Sequence, residues 1–202
     1  MILEYRGYRP TIAASAWIAP NAVVAGDVTI GDNCAIGFGA VLSAESGPIT
    51  IGANVVVMDN AVLRAVKAAP LTIGNDVLIG PHASLSGCSI ADQVFVATGA
   101  SVFNLAVLKA RAEVRINAVV HIKTVLDEDA VVPIGWVAVG NPAKILPPDQ
   151  HEAIWAIQKE LDFPATVFGA ARPAEGQSLL RDVMPRYARA LVRWHGETRE
   201  LE

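Results

Sequence analysis

The chain has 202 residues, 52% of them apolar and 18% charged, with a formal net charge of −4. That length suits one domain with a substantial core, and an apolar fraction this high points to further apolar surface buried between subunits. Mild acidity without a basic block argues against nucleic acid as a partner. No apolar run has the length of a membrane span, and the opening MILEYRGYRP lacks the apolar stretch of a secretory signal, so a cytoplasmic location is expected.

Residues 1–11 read as an extended or turning lead-in, with Tyr5, Gly7, Tyr8 and Pro10. A strict repeat follows. Aliphatic residues recur at every sixth position at Ile12, Ile18, Val24, Ile30, Ile36 and Leu42. The phase breaks, resumes at Ile51, Val57 and Leu63, breaks again, and resumes at Ile73, Ile79 and Leu85. One residue is missing before Ile90. The period then holds through Val96, Val102, Leu108, Val114, Val120, Leu126, Val132 and Ala138. A period of six marks a solenoid in which three hexads make one triangular coil, so residues 12–146 form about seven coils. The insertions around 43–50 and 64–72 and the deletion within 86–89 all follow the third hexad of a coil. All three irregularities therefore fall at one corner of the prism.

The narrow interior explains the pattern. Each short strand sends one branched aliphatic side chain inward, stacked on its equivalents above and below. Small residues such as Ala61, Ala83 and Ala100 fit beside the tight corners. Helical periodicity is absent from this region. Cys34 and Cys88 form no CxxC pair, and Cys88 reads as a small packed residue.

The repeat ends near residues 140–144, GNPAK. The remainder, 147–202, reads as a helical segment packed on the solenoid. A first helix starts after Pro148 with Asp149 as N-cap, carries Ile154, Trp155, Ile157 and Leu161, and stops before Pro164. A second helix spans about 178–194, with Leu179, Leu180, Val183, Tyr187, Leu191 and Trp194 on its apolar side and a kink or division expected at Pro185. Residues 163–177 between them read as a loop, and His151 and His195 as solvated.

Four blocks carry a family resemblance: PTIAASAWIAPNAVVAGDVTIG, IGANVVVMDNAVLR, IGNDVLIGPHASLSGCSI and VAVGNPAK. Through them residues 10–146 resemble the γ-class carbonic anhydrase-like family of hexapeptide-repeat proteins. The resemblance implies a left-handed parallel β-helix and a homotrimer with a metal ion held between subunits by three histidines. A metal-bound water then becomes hydroxide near neutral pH and attacks carbon dioxide. In this chain the three ligand positions hold Arg64, Pro81 and Ser86. Arginine stays protonated, proline has no side-chain donor atom and serine is a weak ligand, so the usual interfacial zinc or iron is not expected and the cofactor is left open. The family's Arg-Gly-Asp reads Ser43-Ala44-Glu45 and its Gln-Asp reads Met58-Asp59. Arg64 then supplies a fixed positive charge where the metal would lie, and an Asp59–Arg64 ion pair across the trimer interface is expected.

His82, directly after Pro81, is the candidate catalytic residue, either as an acid or base near neutral pH or as part of a rebuilt metal set with Asp59, Glu45 or Cys88. His121 occupies the same corner as Arg64 and Ser86, two coils beyond Ser86 and on the order of 10 Å away. It is expected to line a groove with Asn104 and Arg115. The leading expectation is a trimer that binds a small anionic ligand at the subunit interface or acts as a structural partner. The alternatives are a hexapeptide acyltransferase using acyl-CoA and a metalloenzyme built around His82.

Overall fold

The computed structural model describes residues 1–174 and 176–201; within the expected loop, position 175 lies outside the described residues, as does 202 in the C-terminal segment. Most hexads fold as a two-residue strand whose second member is the periodic aliphatic residue, as in Val56–Val57, Leu78–Ile79 and Val119–Val120. The first residue of each pair faces out and the second is buried, because side chains alternate along a strand.

The second face of the prism is a seven-stranded parallel sheet, one strand per coil. Its register stacks Ile18, Ile36, Val57, Ile79, Val96, Val114 and Val132 on one another. On the first face Ile12, Ile30, Ile51, Ile73, Ile90, Leu108 and Leu126 align in the same way. On the third face Val24, Leu42, Leu63, Leu85, Val102, Val120 and Ala138 do so. The grouping into threes and the mainly β, left-handed parallel β-helix are thus the observed architecture. The first and third faces merge into one 15-stranded sheet because Val23–Ile30 and Val41–Ile51 run around their shared corner as continuous strands.

The corners differ in character. Between the second and third faces the turns are regular, and Gly39, Asn60, His82, Gly99, Asn117 and Gly135 stack there with positive φ. Glycine and asparagine enter the left-handed region readily, whereas histidine does so less often. At the corner between the third face and the next coil the inserted residues accumulate. Val66 and Ala69 close a miniature hairpin through reciprocal backbone bonds of 3.1 and 2.8 Å. Gly87 makes the adjacent turn at φ +47, and a Cβ on it would lie 2.4 Å from the Ala69 carbonyl oxygen.

Both ends of the prism are extended. Ile2–Glu4 adds a parallel rung onto Val23–Ile30. Lys144–Leu146 folds back antiparallel on Val137–Val139, a reversal that the six-residue period does not encode. Helix α1, His151–Gln158, is capped at Gln150 rather than Asp149 and tightens into a 3-10 turn at Lys159–Leu161. A further helix, α2, spans Phe163–Phe168, where the sequence reads as loop. Pro164 suits its first turn, Asp162 accepts a bond from the Ala165 amide at 3.5 Å, and Gly169 ends it at φ +60. Six residues are too few to display a helical period.

Helix α3, Leu179–His195, runs through Pro185 without a division and has Ser178 as its N-cap residue. Val183 is buried and Tyr187, Leu191 and Trp194 are half-buried, but Leu180 is 54% exposed, so the apolar stripe is narrower than expected. The chain then returns to its start: Arg199–Glu200 pairs antiparallel with Ile2–Glu4. Among the described residues no helix is long and apolar enough to cross a membrane.

Candidate functional site

The insertion corner carries the site. Glu45 lies in the long strand Val41–Ile51 and is buried, at 4% exposure. One rung away, Arg64 is in register with Ser43 on one side and Ser86 on the other. The bend of the long strand carries Glu45 back over this column. The Arg64 guanidinium donates to Glu45 Oε2 and, at 2.9 Å, to the Tyr187 hydroxyl. That hydroxyl lies 3.1 and 3.3 Å from the two Glu45 oxygens. The lead-in joins the cluster: Arg6 Nη1 donates to the Glu45 carbonyl at 3.1 Å, and its guanidinium sits 4.4 Å from the centroid of the Trp194 ring.

Burial works against the charge of Arg64, but its bonds to Glu45 and Tyr187 outweigh that and hold its pKa above the ordinary value. Burial also raises the Tyr187 hydroxyl, with the Arg64 bond opposing and the Glu45 charge adding to the shift. The result is a charged carboxylate–guanidinium pair completed by a neutral phenol. A buried carboxylate is tolerated only with such partners.

Beside the cluster opens a cleft of about 670 Å³. Its coil side is formed by Arg64, Lys67, Ser86 and Asn104, and its outer side by α2 and α3 through Phe168, Val183, Arg186, Tyr187 and Trp194. Three cations, Arg64, Lys67 and Arg186, face a single carboxylate, Glu45. The cleft is therefore electropositive in a chain of negative net charge.

The structure brings together Glu45, Arg64, Ser86 and Asn104, and separates the remaining candidates from them. His121 follows Val120 on the third face, but Phe103 stands between it and Ser86, and it does not line the cleft. Its ring centroid is 6.1 Å from that of Phe103, its Nδ1 is buried without a hydrogen-bond partner, and burial lowers its pKa. His82, Asp59 and Arg115 stand at the regular corner between the second and third faces. There the His82 amide donates to the Asp59 carbonyl at 3.1 Å, the Asp59 carboxylate accepts from the Phe38 amide at 2.8 Å, and Arg115 pairs with Glu113. Within the chain Arg64 is paired with Glu45, not with Asp59. Cys34 and Cys88 are buried free thiols, both with pKa raised by burial.

The residues at the implied metal site do not fit a metal. Arg64 has no free lone pair and is already bound to a carboxylate, Pro81 offers no side-chain donor, and Ser86 is neutral. Among the described residues no three His, Cys, Asp or Glu side chains of one chain converge on a possible metal position. Lys67, Arg186, Tyr187 and Trp194 were not legible as site residues. Tyr187 and Trp194 lie on the apolar side of a helix, and nothing in the spacing aims that side at the insertion corner.

Residues 9–44 match the family model described as bacterial transferase hexapeptide (six repeats). Residues 27–65 and 70–104 match the one described as hexapeptide repeat of succinyl-transferase. The chain is 32% identical over 143 residues to gamma carbonic anhydrase 1, mitochondrial, of Arabidopsis thaliana, a match covering 68% of this chain and 50% of that protein. It thus spans about half the length of this plant relative. It is 30% identical over 146 residues to a carbonic anhydrase of Geobacillus kaustophilus, covering 72% of this chain and 77% of that one. Among solved structures, a hexapeptide transferase family protein from Anaplasma phagocytophilum superposes with a TM-score of 0.54 at 30% identity, covering 79% of this chain and 92% of that one. Coil register, corner insertions and these matches agree, and the chain belongs to the γ-carbonic-anhydrase-like family of hexapeptide-repeat proteins.

Proposed function

We propose that this protein is a homotrimer that lacks the three-histidine metal site and binds a small anionic ligand in the cleft between the insertion corner and the C-terminal helices. The carrying observation is the charge of that cleft: Lys67 and Arg186 remain after Glu45 has neutralised Arg64. Uncompensated cations in a concave site attract anions and fix their orientation. The cleft is bounded by elements of a single chain, so a neighbouring subunit would border it rather than complete it.

The trimer is supported by the outer surface of the second face. Trp17, Val56, Leu78 and Val131 point outward there, and Trp17 stacks edge-on with Phe38 at 5.6 Å while half exposed. An apolar patch of this kind on a sheet marks an association surface. Light scattering after size exclusion should give three times 21.3 kDa.

Calorimetric titration with inorganic phosphate and with acetate tests the ligand class. Binding that is lost in Lys67→Ala/Arg186→Ala supports the proposal. Absence of binding by every anion tried, in a folded trimer, defeats it. Release of free thiol from acetyl-CoA with an amine acceptor would favour acyl transfer instead. Stoichiometric metal lost in His82→Ala would favour a rebuilt metal set.

A further inference from the structure

We infer that the ligand of the cleft is an amphipathic anion: a carboxylate or phosphate head on an apolar body, not a small inorganic anion such as bicarbonate. This rests on the anion-binding reading above and narrows it.

Size is the first argument. At about 30 Å³ per water, a cleft of about 670 Å³ holds on the order of twenty waters. A bicarbonate ion has four heavy atoms and would leave most of that space wet. Sites of ~300–1,000 Å³ commonly enclose organic ligands.

The distribution of wall chemistry is the second. Val66, Phe168, Val183 and Trp194 line the cleft with apolar atoms, and three of the four come from α2 and α3. The charged groups come in two kinds. Arg64 is committed to Glu45 and Tyr187. Lys67 and Arg186 also line the cleft, and among the described residues neither is in an ion pair. Two free cations beside an apolar wall match one anionic head and one apolar tail. A small inorganic anion would leave the wall without a partner, and a purely apolar ligand would leave the cations without one.

Isothermal titration of the 202-residue protein with acetate, butanoate, hexanoate, octanoate and octan-1-ol tests this. Affinity is expected to rise about fourfold per buried methylene along the carboxylate series, with octanol at least tenfold weaker than octanoate. Lys67→Ala/Arg186→Ala should remove the advantage of octanoate over octanol. Phe168→Ala should flatten the chain-length dependence. Circular dichroism establishes that each variant is folded. If acetate binds as tightly as octanoate, the amphipathic inference is overturned and the anion reading survives. If octanol equals octanoate in the unsubstituted protein, the anion reading fails as well. If no member of the series binds, both fall. A parallel titration with octyl phosphate separates a phosphate preference from a carboxylate one.

Discussion

The hydroxyl of Tyr187 meets the carboxylate of Glu45 at 3.1 Å, joining residues 142 positions apart in the chain. Glu45 belongs to the second coil and Tyr187 to the last helix, so this contact ties α3 to the corner it covers. The Arg64 guanidinium bonds to both and converts a pair into a closed triangle.

Tyr187→Phe keeps the ring and deletes the hydroxyl. It should cost about 1.5–3 kcal/mol, the usual worth of a hydrogen bond to a charged partner. Glu45→Ala should cost more, since it leaves the Tyr187 hydroxyl and the Arg64 guanidinium without their shared acceptor. Urea unfolding of the two variants checks the order. Hydrogen exchange should show faster opening of α3 in both and unchanged protection of the coils.

Arg64 occupies a position where the family resemblance implies a metal ligand, and its positive charge does not depend on any dissociable ion. Prolonged dialysis against EDTA should therefore leave the melting temperature and the near-ultraviolet circular dichroism unchanged. A drop of several degrees, restored by zinc, would show that a metal contributes to the fold through residues other than these.

His121 supplies a pH dependence. Burial lowers its pKa in the folded protein, so between that value and the unfolded value of about 6.5 the unfolded chain binds more protons. Stability should fall as pH drops through this window, by at most about 1.4 kcal/mol per pH unit from this one group. His121→Gln should flatten the slope below about pH 6.5. A slope identical to that of the unsubstituted protein would assign the dependence to other groups.

Gly87 tests the insertion corner. At φ +47, with the Ala69 carbonyl oxygen 2.4 Å from where a Cβ would sit, alanine meets both a backbone penalty and a clash. Gly87→Ala should destabilise by about 2 kcal/mol or more. Gly135→Ala shares a positive φ but has open space around its Cβ, so it should cost about 1 kcal/mol. Thermal unfolding of the two side by side separates the clash from the backbone term.

The solenoid was legible in the sequence because its physics is local and repeated. Ile79 must face inward for the same reason as Ile73 and Leu85, and one aliphatic residue in six is enough to set the register. The corner of the insertions was legible too, since every break follows the third hexad. Helix α2 was not, because a proline and a glycine five residues apart look the same in a short helix as in a loop. Glu45 and Arg64 were singled out as substitutions within a recognisable site. Their partner Tyr187 was hidden, because no periodicity reports where a C-terminal helix will dock.

The pairing of Arg199–Glu200 with Ile2–Glu4 has a consequence for biosynthesis. Coils can stack one after another as they emerge from the ribosome, each resting on the coil before it. The cleft cannot: its outer wall comes from α2 and α3, which follow the coils in the chain, and the strand Arg199–Glu200 must travel back to the first rung of the prism. A nascent chain halted after the coils would carry the finished rod with Glu45 and Arg64 open to water, so the cleft takes shape only once α2 and α3 have been made and docked.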